Sequence, residues 1–251
     1  MNSTEKFSGL ANEYTTGRPG YSTDFIECLF SNFGFSESSV IADFGSGTCK
    51  FAKHLLEKGC NVFCVEPNPD MRLAAEEQFF DYPNFKSVSG SAEHTKLADN
   101  SVDFITTAQA FHWFDTKNFK AECTRIIKPY GIVFLIWNMR NNTSLINQRL
   151  YKIFSEYCPE FTGFSGGIKP HDERIKYFFD NNYEYITFDN PLCFDREKFI
   201  NRCLSGSYSL KNGDNNFNSY INAINNALDE IESDGIVRIE NQTVSYIGTL
   251  I

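Results

Sequence analysis

The residues with the clearest chemistry lie between positions 43 and 66. Asp43 opens the stretch DFGSGTCK, in which Gly45 and Gly47 follow. An apolar run, VIADF, leads in, and CKFAKHLLEKG leads out with helical character. Strand, glycine-rich turn and helix together make a ligand-binding loop, because a glycine lets backbone approach closely where a Cβ would block it. A loop built for a dinucleotide pyrophosphate would read GxGxxG, with its third glycine at position 50. Lys50 stands there instead. A carboxylate beside such a turn repels a pyrophosphate and suits a ligand carrying an ammonium group. The simpler use of Asp43 is as a cap on the following turn.

Glu66, in VFCVEPNPDM, ends a second apolar run about 20 residues after the glycines. An acid there can accept hydrogen bonds from both hydroxyls of a ribose. Its simpler reading is a solvated acid at a strand end. Taken together, the residues describe a ligand with a ribose and a positive group but no required pyrophosphate. S-adenosylmethionine meets all three conditions.

These side chains must be placed by alternating strands and helices. STDFIECLFSNF puts Phe25, Leu29 and Phe33 on one helical face. Strands are expected at 40–44, 61–67, 85–90, 102–108 and 131–137, with helices at 48–59, 68–80 and 115–129 between them. Asn68 is a candidate cap and Pro69 suits a first helical turn. Gly59 is a plausible helix stop. Helices between short β-branched and aromatic runs imply crossover units and a parallel sheet. The expected fold is therefore α/β, Rossmann-like and doubly wound, with a mostly parallel seven-stranded sheet. After Trp137 the rhythm changes: 138–182 and 191–235 read as helical insertions, and 182–190 as a strand between them. The expectation is one domain over 1–251, with an N-terminal segment 1–35, a core 36–137 and the two insertions as a cover.

Composition narrows the class. The chain has 251 residues, 41% hydrophobic and 16% aromatic, enough for a sizeable core. A net charge of −9 argues against a nucleic-acid partner, which needs a basic face. No run approaches the ~18 apolar residues of a bilayer span. The start, MNSTEKFSGLANEY, lacks the apolar stretch of a signal peptide. A soluble, cytoplasmic protein with no membrane partner is expected. Cysteines at 28, 49, 60, 64, 123, 158, 193 and 203 show no CxxC pair and no neighbouring histidine ligands, so reduced buried thiols and no metal are expected.

DFGSGTCK, VEPNPDM, GSAEHTKLADNSVD and AQAFHWFD occur in the order seen in class I S-adenosylmethionine-dependent methyltransferases. The sequence most resembles small-molecule enzymes of the trans-aconitate and ubiquinone/menaquinone methyltransferase type, over roughly residues 7–137. Beyond Trp137 the resemblance is architectural only. It implies S-adenosylmethionine as cofactor, S-adenosylhomocysteine as product, and a small-molecule acceptor as partner. It implies Asp43 near the methionine ammonium; Gly45, Ser46 and Gly47 along methionine and ribose; and Glu66 on the ribose hydroxyls. Asn68 and Met71 would pack near the adenine, with Ala92 and Glu93 at its edge. Gln109 and Ala110 would sit by the sulfonium. Tyr14 and Arg18 match the segment that closes over the cofactor, with Arg18 available to the methionine carboxylate. The family usually has glycine where Cys49 stands. Ordinary helical dihedrals are expected there, with the small thiol facing the sheet.

His112 and Trp113 follow the fourth strand, at the mouth of the expected site. A general base is worth ~10²–10⁴ in rate, yet orientation alone supplies ~7–11 kcal/mol. His112 therefore reads as a positioning residue or a base, and Trp113 as a pocket wall. Arg140, just past the fifth strand, is the candidate cation if the acceptor is a carboxylate. His54 is expected at the surface, His94 near the cofactor or exposed, and His171 in an unconstrained loop. Two other functions use the same residues: a cofactor-binding protein without methyl transfer, and a methyltransferase acting on protein. A nicotinamide oxidoreductase fits poorly, because Lys50 spoils its fingerprint and Asp43 has no task in it. The acceptor and the oligomeric state stay open.

Overall fold

A computed structural model describes residues 20–141, 143–164, 171–206 and 208–250. Tyr14 and Arg18 lie outside the described residues. The described residues group into two compact units. The first runs up to Trp137 and includes the stretches ending at Phe188 and starting at Thr243. The second starts at Asn138 and resumes over Asp189–Gln242. The sequence reading treats the chain as one domain with two insertions. The second unit takes in most of those stretches and runs on to Gln242, whereas 171–182 belongs to the first unit.

The first unit holds a seven-stranded sheet in the order β3-β2-β1-β4-β5-β9-β6. Its strands are β1 (Val40–Phe44), β2 (Asn61–Val65), β3 (Phe85–Val88), β4 (Val102–Ala108), β5 (Ile127–Arg140), β6 (Glu184–Asp189) and β9 (Asn241–Gly248). The β1–β2, β2–β3, β1–β4 and β4–β5 pairs are parallel. This is the doubly wound, Rossmann-like sheet expected from the alternation of elements. The strand order reverses between β1 and β4, the place where such sheets bind ligands. Register puts Asp43 between Cys64 on β2 and Thr106 on β4.

Helices α1 (Thr23–Asn32) and α2 (Ala52–Glu57) cover one face, where Phe25, Leu29, Leu55, Ile41, Phe104 and Phe134 form a core. Phe35 stacks on Phe104 with ring centroids 4.0 Å apart. Such aromatic pairs are worth ~0.5–1.5 kcal/mol beyond their burial. Helix α3 (Pro69–Gln78) starts as expected: Asn68 Oδ1 accepts from the N–H groups of Asp70 and Met71 at 3.0 and 3.1 Å. Gly59 ends α2 at a φ of +88°, with its N–H on Leu56 O. Helix α4 (Thr116–Ile126) and the short α6 (Glu173–Phe178) meet through Phe119 and Phe178, stacked at 5.1 Å. Against the expectation of an unconstrained loop, the N–H of His171 donates to Tyr246 Oη at 3.0 Å, and its ring meets Tyr183 Oη at 3.0 Å.

Glu122 on α4 pins the segment after β3. Its Oε1 accepts from the Thr95 N–H at 2.7 Å and from Arg125 Nη2 at 2.7 Å, and its Oε2 accepts from Arg125 Nε at 2.9 Å. Burial alone would raise this carboxyl; hydrogen bonds from Arg125 and Thr95 outweigh burial and hold it at about 2. Sign follows from linkage: the folded value is depressed from 4.5, so the stabilisation is full above pH 4.5 and is lost as pH falls toward 2. Glu122→Gln is expected to cost roughly 2–3 kcal/mol at pH 7, with a cost that shrinks on acidification. Urea denaturation at pH 7 and at pH 3 measures both.

The second unit contains α5 (Leu145–Tyr157), α7 (Arg196–Leu204), α8 (Phe217–Asp229) and an antiparallel pair, β7 (Leu192–Phe194) with β8 (Val237–Ile239). Leu150, Phe154, Phe199, Tyr220, Ile224 and Leu228 form its core. The β7–β8 pair falls partly inside a stretch read as helical. Among the described residues no helix is long and apolar enough to cross a membrane.

Candidate cofactor-binding site

The carboxyl ends of β1, β2 and β4 hold the expected residues. Asp43 is 1% exposed, and Thr106 Oγ1 donates to its Oδ1 at 2.7 Å. Its recorded partner is therefore a strand neighbour, not the turn that follows. Burial raises the Asp43 carboxyl; the Thr106 hydrogen bond opposes this and the charge of Glu66 adds to it, leaving it at about 7. An acid poised near neutrality inside a sheet favours a cationic ligand, which would restore its charge.

Glu66 is also buried, and both of its oxygens are engaged. The Gly47 N–H donates to Oε2 at 3.0 Å and the Asn68 N–H to Oε1 at 2.9 Å. Arg72 Nη1 donates to the carbonyls of Glu66 and Pro67, both at 3.0 Å. Burial raises the Glu66 carboxyl, opposed by those two N–H groups and by Arg72. Each carboxylate oxygen keeps a second lone pair, so ribose hydroxyls can still be received. Asn68 thus does two things, capping α3 through its side chain and holding Glu66 through its backbone.

The loop itself is tied to β2, since the N–H groups of Gly45 and Ser46 both donate to Val65 O at 2.9 and 3.2 Å. Gly45 has a φ of +62°, and a Cβ there would sit 2.6 Å from Ala110 Cβ and 3.2 Å from Phe114 Cζ. Only glycine fits. Gly47, at +57°, has open space where its Cβ would be. Ser46 Oγ is buried and makes no hydrogen bond among the described residues. An open flank, an orphaned hydroxyl and two buried carboxyls fit a ligand that brings hydroxyls and a positive charge.

Cys49 corrects one expectation. It does not take helical dihedrals; its φ is +60°, and α2 begins only at Ala52. Positions 45, 47 and 49 are all left-handed, which explains a glycine preference at the third. A non-glycine residue pays ~1–2 kcal/mol for this conformation. The orientation is as expected: the thiol is fully buried, in the same core cluster as Cys64 of β2. Cys49→Gly should therefore leave ligand affinity within about 0.5 kcal/mol of wild type, the range of silent substitutions. Cys49→Val, a branched side chain held at that φ, should destabilise by more than about 1 kcal/mol. Calorimetric titration and thermal melts separate the two effects.

Past β4, Gln109 is left-handed at a φ of +60° and donates its N–H to Ile136 O at 2.9 Å. Strained backbone of this kind collects at functional sites. His112 and Trp113 share one 3₁₀ turn (Phe111–Trp113), with rings 4.8 Å apart; Trp113 is 42% exposed. Met71 and Ala92 are buried, and Glu93 Oε1 accepts from the Asp115 N–H at 3.1 Å, at the start of α4. Arg140 is the last residue of β5 and belongs to the second unit.

Thr106, Arg72 and Phe114 were not singled out by sequence reasoning. Thr106 carries no sequence signal of its own, because its pairing with Asp43 depends on β1 and β4 being neighbours. For Phe114 no sequence signal stands out beyond its place in AQAFHWFD.

Residues 42–135 match a family described as a methyltransferase domain. Over these residues the chain is similar to methyltransferase domains, and its sheet has the fold of solved methyltransferases. The chain is 31% identical over 153 residues to an uncharacterized methyltransferase-like protein of Schizosaccharomyces pombe, covering 61% of this chain and 59% of the relative. It is 33% identical over 135 residues to an uncharacterized methyltransferase of Mycobacterium bovis, covering 54% and 53%. The chain thus spans little more than half the length of these curated relatives. In fold it is similar to a provisionally assigned type II methyltransferase from Anaeromyxobacter dehalogenans, with a TM-score of 0.64, 18% identity, and coverage of 93% of this chain and 98% of that one. A geranyl diphosphate C-methyltransferase from Streptomyces coelicolor, solved with S-adenosyl-L-homocysteine, has a TM-score of 0.51 at 14% identity, covering 91% and 78%. The matched residues include the glycine loop, Asp43, Glu66, Thr106 and Gln109.

Proposed function

We propose that this protein transfers a methyl group from S-adenosylmethionine to a small-molecule acceptor and releases S-adenosylhomocysteine. The observation that carries the reading is the pairing of buried Asp43, raised to about 7, with Glu66 held on Gly47 and Asn68. Asp43 receives the ammonium of the donor, and Glu66 the ribose hydroxyls. Gly45, Ser46 and Gly47 line methionine and ribose, with Ser46 Oγ gaining a partner. Asn68 and Met71 border the adenine, with Ala92 and Glu93 at its edge.

When bound, the donor supplies an electrophilic methyl group on a sulfonium. The protein's share is orientation, which can contribute ~7–11 kcal/mol. Gln109 and Ala110 shape the wall beside the sulfonium. His112 positions the acceptor or takes its proton, and Trp113 walls the pocket; Arg140, a residue of the second unit, is the candidate cation if the acceptor is a carboxylate. Neither a metal nor a nucleic acid has a part in this reading, and the protein works in the cytoplasm.

The test is an incubation with S-adenosylmethionine and either a low-mass cell fraction or a protein fraction. Release of S-adenosylhomocysteine that depends on the low-mass fraction is expected. Release only with protein, or binding with no release, would contradict a small-molecule acceptor.

A further inference from the structure

Arg140 differs from the ion-paired arginines among the described residues. Arg125 pairs with Glu122 and Asp99, Arg149 with Glu230, Arg174 with Asp172, Arg196 with Asp229 and Glu232, and Arg238 with Glu240. Arg140 has no carboxylate among the described residues. Its guanidinium lies over the Phe164 ring, 4.3 Å from the centroid, and Nη1 makes one long hydrogen bond, 3.4 Å, to Asn147 Oδ1. Of five N–H donors, one is used among the described residues.

The setting is built rather than incidental. Asn147 is 1% exposed, and its amide nitrogen donates to Asn141 O at 2.9 Å and Glu240 O at 2.8 Å. Those bonds fix which way the amide faces and aim its oxygen at Arg140. Phe161, Phe164 and Tyr208 pack together around this point, with Phe161 4.8 Å from Tyr208 and 5.3 Å from Phe164. Burial pushes the Cys203 thiol up to about 11 and raises the Tyr208 phenol, so both are neutral at pH 7. The charge of Arg140 therefore has no counter-charge among the described residues of the second unit. Arg140 is partly buried, and its cation–π contact with Phe164 occupies the face of the guanidinium while its edge donors stay available.

We propose that Arg140 is the anchor of a carboxylate-binding site in the second unit, for an organic monoanion whose apolar body packs on Phe161, Phe164 and Tyr208. A planar guanidinium fork matches a carboxylate in two parallel hydrogen bonds. One cation neutralises one negative charge; a phosphate dianion would leave a surplus among aromatic rings. That this ligand is the methyl acceptor rests on the function proposed above, whereas carboxylate binding itself does not.

Benzoate is the probe, with benzyl alcohol as the uncharged control at constant ionic strength. Melting is followed for wild type, Arg140→Met and Arg140→Lys, and S-adenosylhomocysteine binding is measured for each. Benzoate should raise the wild-type Tm by ~2 °C or more, Arg140→Met should not respond, and Arg140→Lys should respond in part. Ligand-free Arg140→Met should melt close to wild type, because Met keeps an apolar contact with Phe164 and gives up one long hydrogen bond. If it fails to fold, Arg140→Lys carries the comparison. A wild-type response that is absent, matched by benzyl alcohol, or equal in the variants overturns the proposal. If S-adenosylhomocysteine fails to bind while benzoate binds through Arg140, the donor reading falls and the carboxylate site stands.

Discussion

Glu66→Ala will weaken S-adenosylhomocysteine binding by about 3 kcal/mol, roughly a hundredfold or more. The size follows from what the carboxylate does at once. It takes the N–H groups of Gly47 and Asn68, at 3.0 and 2.9 Å, and has lone pairs left for two ribose hydroxyls. Hydrogen bonds to a charged group contribute ~1.5–3 kcal/mol each, and buried N–H groups left unpaired cost ~1–3 kcal/mol. Part of the loss falls on the free protein, so Glu66→Ala should also melt lower. Glu66→Gln keeps the volume but brings an amide that meets one N–H donor with another; it should lose affinity by less than alanine does. Calorimetric titration of the three proteins checks the order.

The second large effect is a pH dependence set by Asp43. Its carboxyl stands at about 7, raised first by burial, and Thr106 and Glu66 are the groups that modulate it. A cationic ammonium is held by the ionised form. At pH 8 that form predominates; at pH 6 it is about a tenth of the protein. Affinity should therefore fall roughly tenfold from pH 8 to pH 6 and about tenfold more by pH 5. Asp43→Asn should flatten this profile and bind weakly throughout.

Stability moves the other way. The folded pKa is raised above 3.8, so the folded state holds this proton more tightly than the unfolded chain. The ligand-free protein gains stability from this group as pH falls from 7 toward 3.8. At pH 8, Asp43→Asn should therefore stabilise the free protein, on the order of 2 kcal/mol, while it weakens binding. A loss of both would identify Asp43 as a structural residue.

Local features of the site could be read because their signals lie close together in sequence. Asn68 and Pro69 mark a helix start through side-chain chemistry and fixed φ, and the structure has that cap. The alternation of apolar runs and helices gave the doubly wound sheet because each strand feeds its own crossover. Three things were not legible. The left-handed Cys49 was hidden by the helical pattern after it, since a thiol gives no sign of a positive φ. Thr106 acts across the β1–β4 pair, and β4 follows β1 only after two other strands, so its partner depends on strand order. The second unit mixes aromatic helices with a short β pair, whose three-residue strands are too brief for a periodic signal. Arg140 was visible as a cation after a strand; only its surroundings distinguish it from a surface charge.

The most direct measurement of the central claim is the calorimetric titration of S-adenosylhomocysteine into the wild-type protein at pH 8. The account predicts one site per chain with a Kd of ~1–100 μM, weakened about a hundredfold in Glu66→Ala. No heat of binding at several hundred micromolar ligand, or equal binding by wild type and Glu66→Ala, would contradict it.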